Sequence, residues 1–107
     1  MSGMTGWTGR VLQIDLTTGE TTILTPAAEV YRRFIGGKGL AGYYLRPQVT
    51  LPWNHPDMPL LLFTGPLVGT AAPTSGRATV MSRSPLTGTI ADSSVGGRLG
   101  VQLKRAG

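Results

Sequence analysis

A chain of 107 residues, 40% apolar and 14% charged, reads as one small domain rather than a disordered segment, and so few charges suit a piece that packs against something else. Its net charge of +5 favours anionic partners, but the cations are scattered apart from Arg32 with Arg33 and Lys104 with Arg105, so no nucleic-acid stripe is expected. With no cysteine and one histidine the residues hold no disulfide, thiolate or zinc set, the apolar run PLLLFTGPLVG is too short to cross a membrane, and without a signal-like opening the expected location is the cytoplasm.

Residues 10–24, RVLQIDLTTGETTIL, read as a β-hairpin. Leu12, Ile14 and Leu16 alternate with Val11, Gln13 and Asp15, the period of a half-buried strand, and Thr17 to Glu20 supply the turn. Thr25 and Pro26 then predict a helix start, as N-cap and first helical residue, for AAEVYRRF. Gly36 and Gly37 stop that helix, and Arg32 and Arg33 sit favourably near its C-terminus. A second short helix is expected from Gly39 to Leu45, before Pro47.

Residues 46–59 carry four prolines and read as an irregular connection in which His55 and Asp57 are solvated loop residues. LLLFT at 60–64 reads as a buried strand, and RATVMS at 77–82 and GTIAD at 88–92 as two more. A short echo, GPLVGT at 65–70 and SPLTGT at 84–89, marks two similar turns beside these strands. A last helix is expected near Gly100, with Arg98 and Lys104 exposed. The pattern is α+β: a mostly antiparallel or mixed sheet with one or two helices between strand groups, and no βαβ alternation of a doubly wound fold.

Chemistry is sparse in these residues. The only histidine has no Gly-x-Ser-x-Gly elbow to serve, five acids are scattered singly, and GGKGLAG at 36–42 lacks P-loop spacing. Gly37, Gly39 and Gly42 match Gly-x-Gly-x-x-Gly, but after a helix rather than a strand, which weakens a dinucleotide reading. What remains is ligand holding: TSGR at 74–77 and DSSVGG at 92–97 read as turns whose N–H groups form anion-binding nests. Arg77 would add a planar grip on a phosphate and Lys38 a point charge. Ordinary β-turns with solvated cations explain the same residues equally well. A stand-alone module for phosphate-bearing ligands or nucleic acid is the alternative function. Trp7 and Trp53 read as packing and loop anchors.

Four stretches together, GWTGRVLQIDLTTGET at 6–21, FIGGKGLAGYYL at 34–45, FTGPLVGTAAPTSGRATVMSRSPLTGTIADSSVGG at 63–97 and GVQLKRAG at 100–107, resemble the N-terminal domain of the tungsten-containing aldehyde ferredoxin oxidoreductases. The resemblance implies an enzyme that oxidises aldehydes to carboxylic acids and passes electrons to ferredoxin through a [4Fe–4S] cluster. It implies tungsten or molybdenum held by two pterins, with a magnesium ion bridging their phosphates. Residues 1–107 would then supply the first of two similar β–α–β units, about half of a duplicated domain on which the cofactor rests. The cluster has no ligands here, so the chain alone is expected to be an inactive fragment that exposes an apolar face to its remaining domains or subunit.

By the same resemblance Arg77 approaches the cofactor phosphates, and the main-chain carbonyl of Ser94, where Asn is common, helps hold the magnesium. Val95, Gly96 and Gly97 match the turn lining the pterin, although Val95 replaces a common Ser and lacks its hydroxyl. Lys38 stands where Arg is common, which keeps the charge and loses the fork. Arg98 replaces a common aromatic.

Overall fold

The computed structural model describes residues 5–107. In chain order these form β1 (Val11–Ile14), β2 (Thr21–Leu24), α1 (Ala28–Phe34), α2 (Gly37–Leu45), a 3-10 turn (Arg46–Gln48), β3 (Leu61–Phe63), β4 (Ala78–Arg83), β5 (Ile90–Val95) and α3 (Leu99–Arg105). The fold is α+β with two antiparallel sheets: the β1–β2 hairpin and a three-stranded sheet in the order β3-β4-β5.

Two local expectations are corrected. Ala27 rather than Thr25 occupies the N-cap position, without a side-chain cap, and Pro26 precedes the helix. Residues 25–27 stay non-helical and carry the chain from β2 to where Tyr31 and Phe34 reach the core. Residues 92–95 are not a turn; they are extended in β5, paired Asp92 with Met81, Ser93 with Val80, Ser94 with Thr79 and Val95 with Ala78. Ladder pairing along β4 overrides the turn preference of two serines.

The core lies between α2 and the three-stranded sheet. Tyr31, Leu40, Ala41, Leu45, Phe63 and Met81 form one buried cluster. The Tyr44 ring stacks on Phe63 with centroids 5.5 Å apart, and Trp7 packs on Tyr31 at 5.8 Å while its Nε1 donates to the Ile35 carbonyl at 2.5 Å. Met81 faces α2, so Asp92 opposite it, and Thr79 and Ser94 two rungs on, share that face by the alternation of a strand. Ala78 faces the other way, toward Gly100 of α3. The hairpin is little covered: Leu12, Ile14 and Ile23, which share a face because Leu12 pairs with Ile23, are each more than half exposed.

The two copies of the echo share a glycine conformation though not a hydrogen-bond pattern: Val68 N–H donates to the Gly65 carbonyl in one, and Gly88 N–H to the Ser84 carbonyl in the other. Their two glycines, Gly69 and Gly88, have φ of 77° and 73°, a region open to glycine without a Cβ penalty, and each closes a turn beside the three-stranded sheet.

Candidate functional site

Two turns meet at the start of the β4–β5 ladder. A Cβ built on Gly76 would lie 3.4 Å from the Gly97 carbonyl oxygen, and the first rung pairs Ala78 with Val95. Arg77 and Gly96 therefore flank that rung. The Arg77 side chain is exposed and makes no ion pair among the described residues.

Arg77 and Ser75 line a hollow of about 360 Å³ whose opposite wall is the Ile35, Gly36, Gly37 segment and whose floor is the 65–68 turn. The walls touch because glycine allows it. A Cβ on Gly36 would lie 2.8 Å from the Thr64 oxygen and 2.9 Å from the Gly65 Cα, and the Gly37 N–H donates to the Thr64 carbonyl at 3.0 Å. On the near side the Ser75 hydroxyl reaches the carbonyls of Leu67 at 3.0 Å and Ala72 at 2.8 Å, which draws the 67–75 loop closed. A guanidinium beside close-packed backbone suits an anionic, flat-faced ligand.

The other sequence-derived residues group less simply. Ser94, Val95, Gly96 and Gly97 are exposed and do not line this hollow; they join Arg77 through adjoining backbone. Lys38, in the first turn of α2, is not a free cation, since its Nζ lies 2.9 Å from the Asp92 Oδ2. Arg98 is exposed, as expected. Gly37, Gly39 and Gly42 all lie inside α2 and form no phosphate loop. His55 accepts the Asp57 N–H at Nδ1, 3.0 Å away, and no cluster of three or more metal-ligating side chains occurs among the described residues.

Sequence reasoning missed two cations. Lys104 is half-buried rather than exposed: its Nζ donates to the carbonyls of Val68 at 2.7 Å, Pro66 at 2.9 Å and Gly65 at 3.4 Å, and burial lowers its pKa from the ordinary lysine value. Arg83 donates from Nε to the Gly88 carbonyl at 2.9 Å and from Nη1 to the carbonyls of Val49, at 3.1 Å, and Leu51. The one sequence signal near either was the echo, which marks the 65–70 and 84–89 turns that Lys104 and Arg83 grip.

The family description "Aldehyde ferredoxin oxidoreductase, N-terminal domain" matches residues 11–107. The chain is 41% identical to the tungsten-containing aldehyde ferredoxin oxidoreductase of Pyrococcus abyssi and 39% identical to that of Pyrococcus furiosus, over 106 residues in each case. Each alignment takes in 97% of this chain and 18% of the relative. The fold superposes with a TM-score of 0.85 and 32% identity on a chain of the active site complex BamBC of benzoyl coenzyme A reductase bound to 1,5-dienoyl-CoA, covering 96% of this chain and 16% of that one. No helix among the described residues is long and apolar enough to cross a membrane.

Proposed function

The chain belongs to the aldehyde ferredoxin oxidoreductase family, matching its N-terminal domain, and from that premise we propose that it forms part of the cradle of a tungsten or molybdenum bis-pterin cofactor in an aldehyde-oxidising enzyme. The single observation that carries the reading is the Arg77 guanidinium, which makes no ion pair among the described residues, on a hollow walled by close-packed glycine backbone. A phosphate-bearing, planar group fits there: Gly36 and Gly37 present no side chain, and Arg77 offers a fork matched to phosphate oxygens.

In this reading Arg77 holds the phosphate end and Ser94, Val95, Gly96 and Gly97 line an adjoining exposed edge. The Ser94 main-chain carbonyl contributes to a magnesium ion, and Lys38 adds charge partly offset by Asp92. When bound, the group supplies the two-electron redox centre for taking an aldehyde to a carboxylic acid. The chain's own residues bind and orient it; they supply no acid or base at the reacting carbon. A [4Fe–4S] cluster would take its thiolates from outside these residues, which contain no cysteine. The remaining domains or subunit, ferredoxin and an aldehyde are the proposed partners, with the cytoplasm as the setting.

The test is metal and pterin analysis of the protein that carries this chain, expressed with tungstate. The reading expects tungsten and pterin to co-purify in fixed ratio and Arg77→Gln to lower both at unchanged circular dichroism. Full tungsten and pterin loading in the Arg77→Gln protein would defeat it.

A further inference from the structure

We infer that Lys104 is a positioning residue for this hollow: from α3, behind the hollow, its ammonium gathers the carbonyls of Gly65, Pro66 and Val68 and fixes the turn that faces Arg77. The inference rests on the anion-cradle reading of the hollow. An ammonium has three N–H donors and no acceptor, and here three carbonyls of one turn meet it. Carbonyls converging from one turn repel one another, and the cation between them offsets that repulsion. The same turn is pressed from two other directions. Gly36 abuts Thr64 and Gly65, and a Cβ on Gly6 would lie 3.0 Å from the Pro66 Cβ and 3.1 Å from its oxygen. Among the described residues Lys104 is the only charged side chain gripping it.

Its partners are neutral carbonyls rather than a carboxylate. Unlike Lys38, whose charge is answered by Asp92, Lys104 meets no carboxylate among the described residues and keeps its positive charge beneath the floor of the hollow. That charge favours an anion on the other side of the turn. Lys104 touches no ligand in this scheme; it acts through the shape and potential of residues 65–68.

The experiment uses the 15N-labelled chain, in which Lys38 and Lys104 are the only lysines, so both side-chain ammonium signals are assignable. Lys104 is expected to exchange its ammonium protons at least about tenfold more slowly than the exposed Lys38. Equal exchange overturns the inference, and this comparison requires no variant. In Lys104→Met, the amides of Val68 and Thr70, which bond within the turn at 3.2 Å each, are expected to exchange about tenfold faster while the β4–β5 ladder is unchanged.

Binding of inorganic pyrophosphate, read from the Gly36 and Gly37 amide shifts, is expected to weaken roughly threefold or more in Lys104→Met, with partial recovery in Lys104→Arg. Equal acceleration of every amide would assign Lys104 to general stability and overturn the inference. So would unaltered turn amides. Arg77→Gln is expected to abolish pyrophosphate binding with Lys104 exchange still slow. Absence of pyrophosphate binding in the unaltered chain defeats the anion-cradle reading and leaves the clamp standing, because the lysine comparison does not depend on it.

Discussion

The Lys38 ammonium lies 2.9 Å from the Asp92 carboxylate, which ties the first turn of α2 to the edge strand carrying Ser94. The lysine side chain is 63% exposed, so the pair stabilises the fold by only about 0.2–1 kcal/mol. Its larger effect is on potential, because the carboxylate cancels a cation beside the proposed cradle. Asp92→Asn is expected to change stability in urea by less than about 1 kcal/mol and to strengthen pyrophosphate binding roughly two- to fivefold at low salt. Unchanged affinity would place Lys38 outside the cradle.

Three glycines of different surroundings separate close packing from helix propensity. On Gly36 and on Gly100 an added Cβ would meet backbone oxygens at 2.8 Å (Thr64) and 2.9 Å (Gly76), and backbone cannot swing aside as a side chain does. Gly36→Ala and Gly100→Ala are each expected to cost about 1–3 kcal/mol in denaturant unfolding. Gly42, inside α2, has nothing within 4 Å of the same position, and Gly42→Ala is expected to stabilise by about 0.5–1 kcal/mol. If all three shift stability alike, the close approach that shapes the hollow is absent.

Much of this architecture was legible because its signals are local. Leu12 and Ile14 alternate in β1 although Leu16 falls beyond it, the Pro-Leu-x-Gly-Thr echo locates two turns, and Gly36 follows the end of α1 although Gly37 already opens α2; neighbours in sequence cause each of these. Thr25 misled because its helix begins three residues later, where the core places Tyr31. Ser93 and Ser94 misled because their extended form comes from pairing with β4, which local preference does not encode. Arg77 was visible as a cation among turn residues. Lys104 and Arg83 were not, because their partners, Gly88 apart, are backbone carbonyls 32 to 39 residues away, and any residue type supplies a carbonyl. The family resemblance identified the domain without showing which cations are already engaged.

Alkaline pH tests the buried phenols. Burial raises the pKa of Tyr31 and Tyr44 above the ordinary 10.0, and neighbouring Tyr31 and Tyr43 add to the rise at Tyr44. A raised acid favours the neutral form in the fold, so this stabilisation is complete below about pH 10 and lost as pH climbs through the folded values. Lys104 runs in the opposite sense. Its pKa is lowered from 10.5, so the unfolded chain holds more protons just below that value and this contribution improves as pH rises. With two phenols against one ammonium, unfolding free energy is expected to fall above about pH 10, with Tyr44→Phe flattening the fall. A stability that keeps rising through that range would contradict the burial of both rings.

Arg83 provides the last test, of how the Pro-rich connection is held. Its guanidinium spans the β4–β5 turn, at the Gly88 carbonyl, and the 46–59 segment, at Val49 and Leu51. Nε and Nη1 point in different directions of one plane, and that fork serves both segments at once. A lysine ammonium in the same place has the charge but not the divergent donors. Arg83→Lys is therefore expected to lose about 1–2 kcal/mol, and Arg83→Met somewhat more, because carbonyls left half-buried lose their partners. The loss should be local first. Limited proteolysis is expected to cut Arg83→Lys within 49–59 several-fold faster than the unaltered chain, at a temperature where the β4–β5 amides stay protected. Cleavage of that segment at the unaltered rate would mean that the prolines, and not the arginine, fix its course.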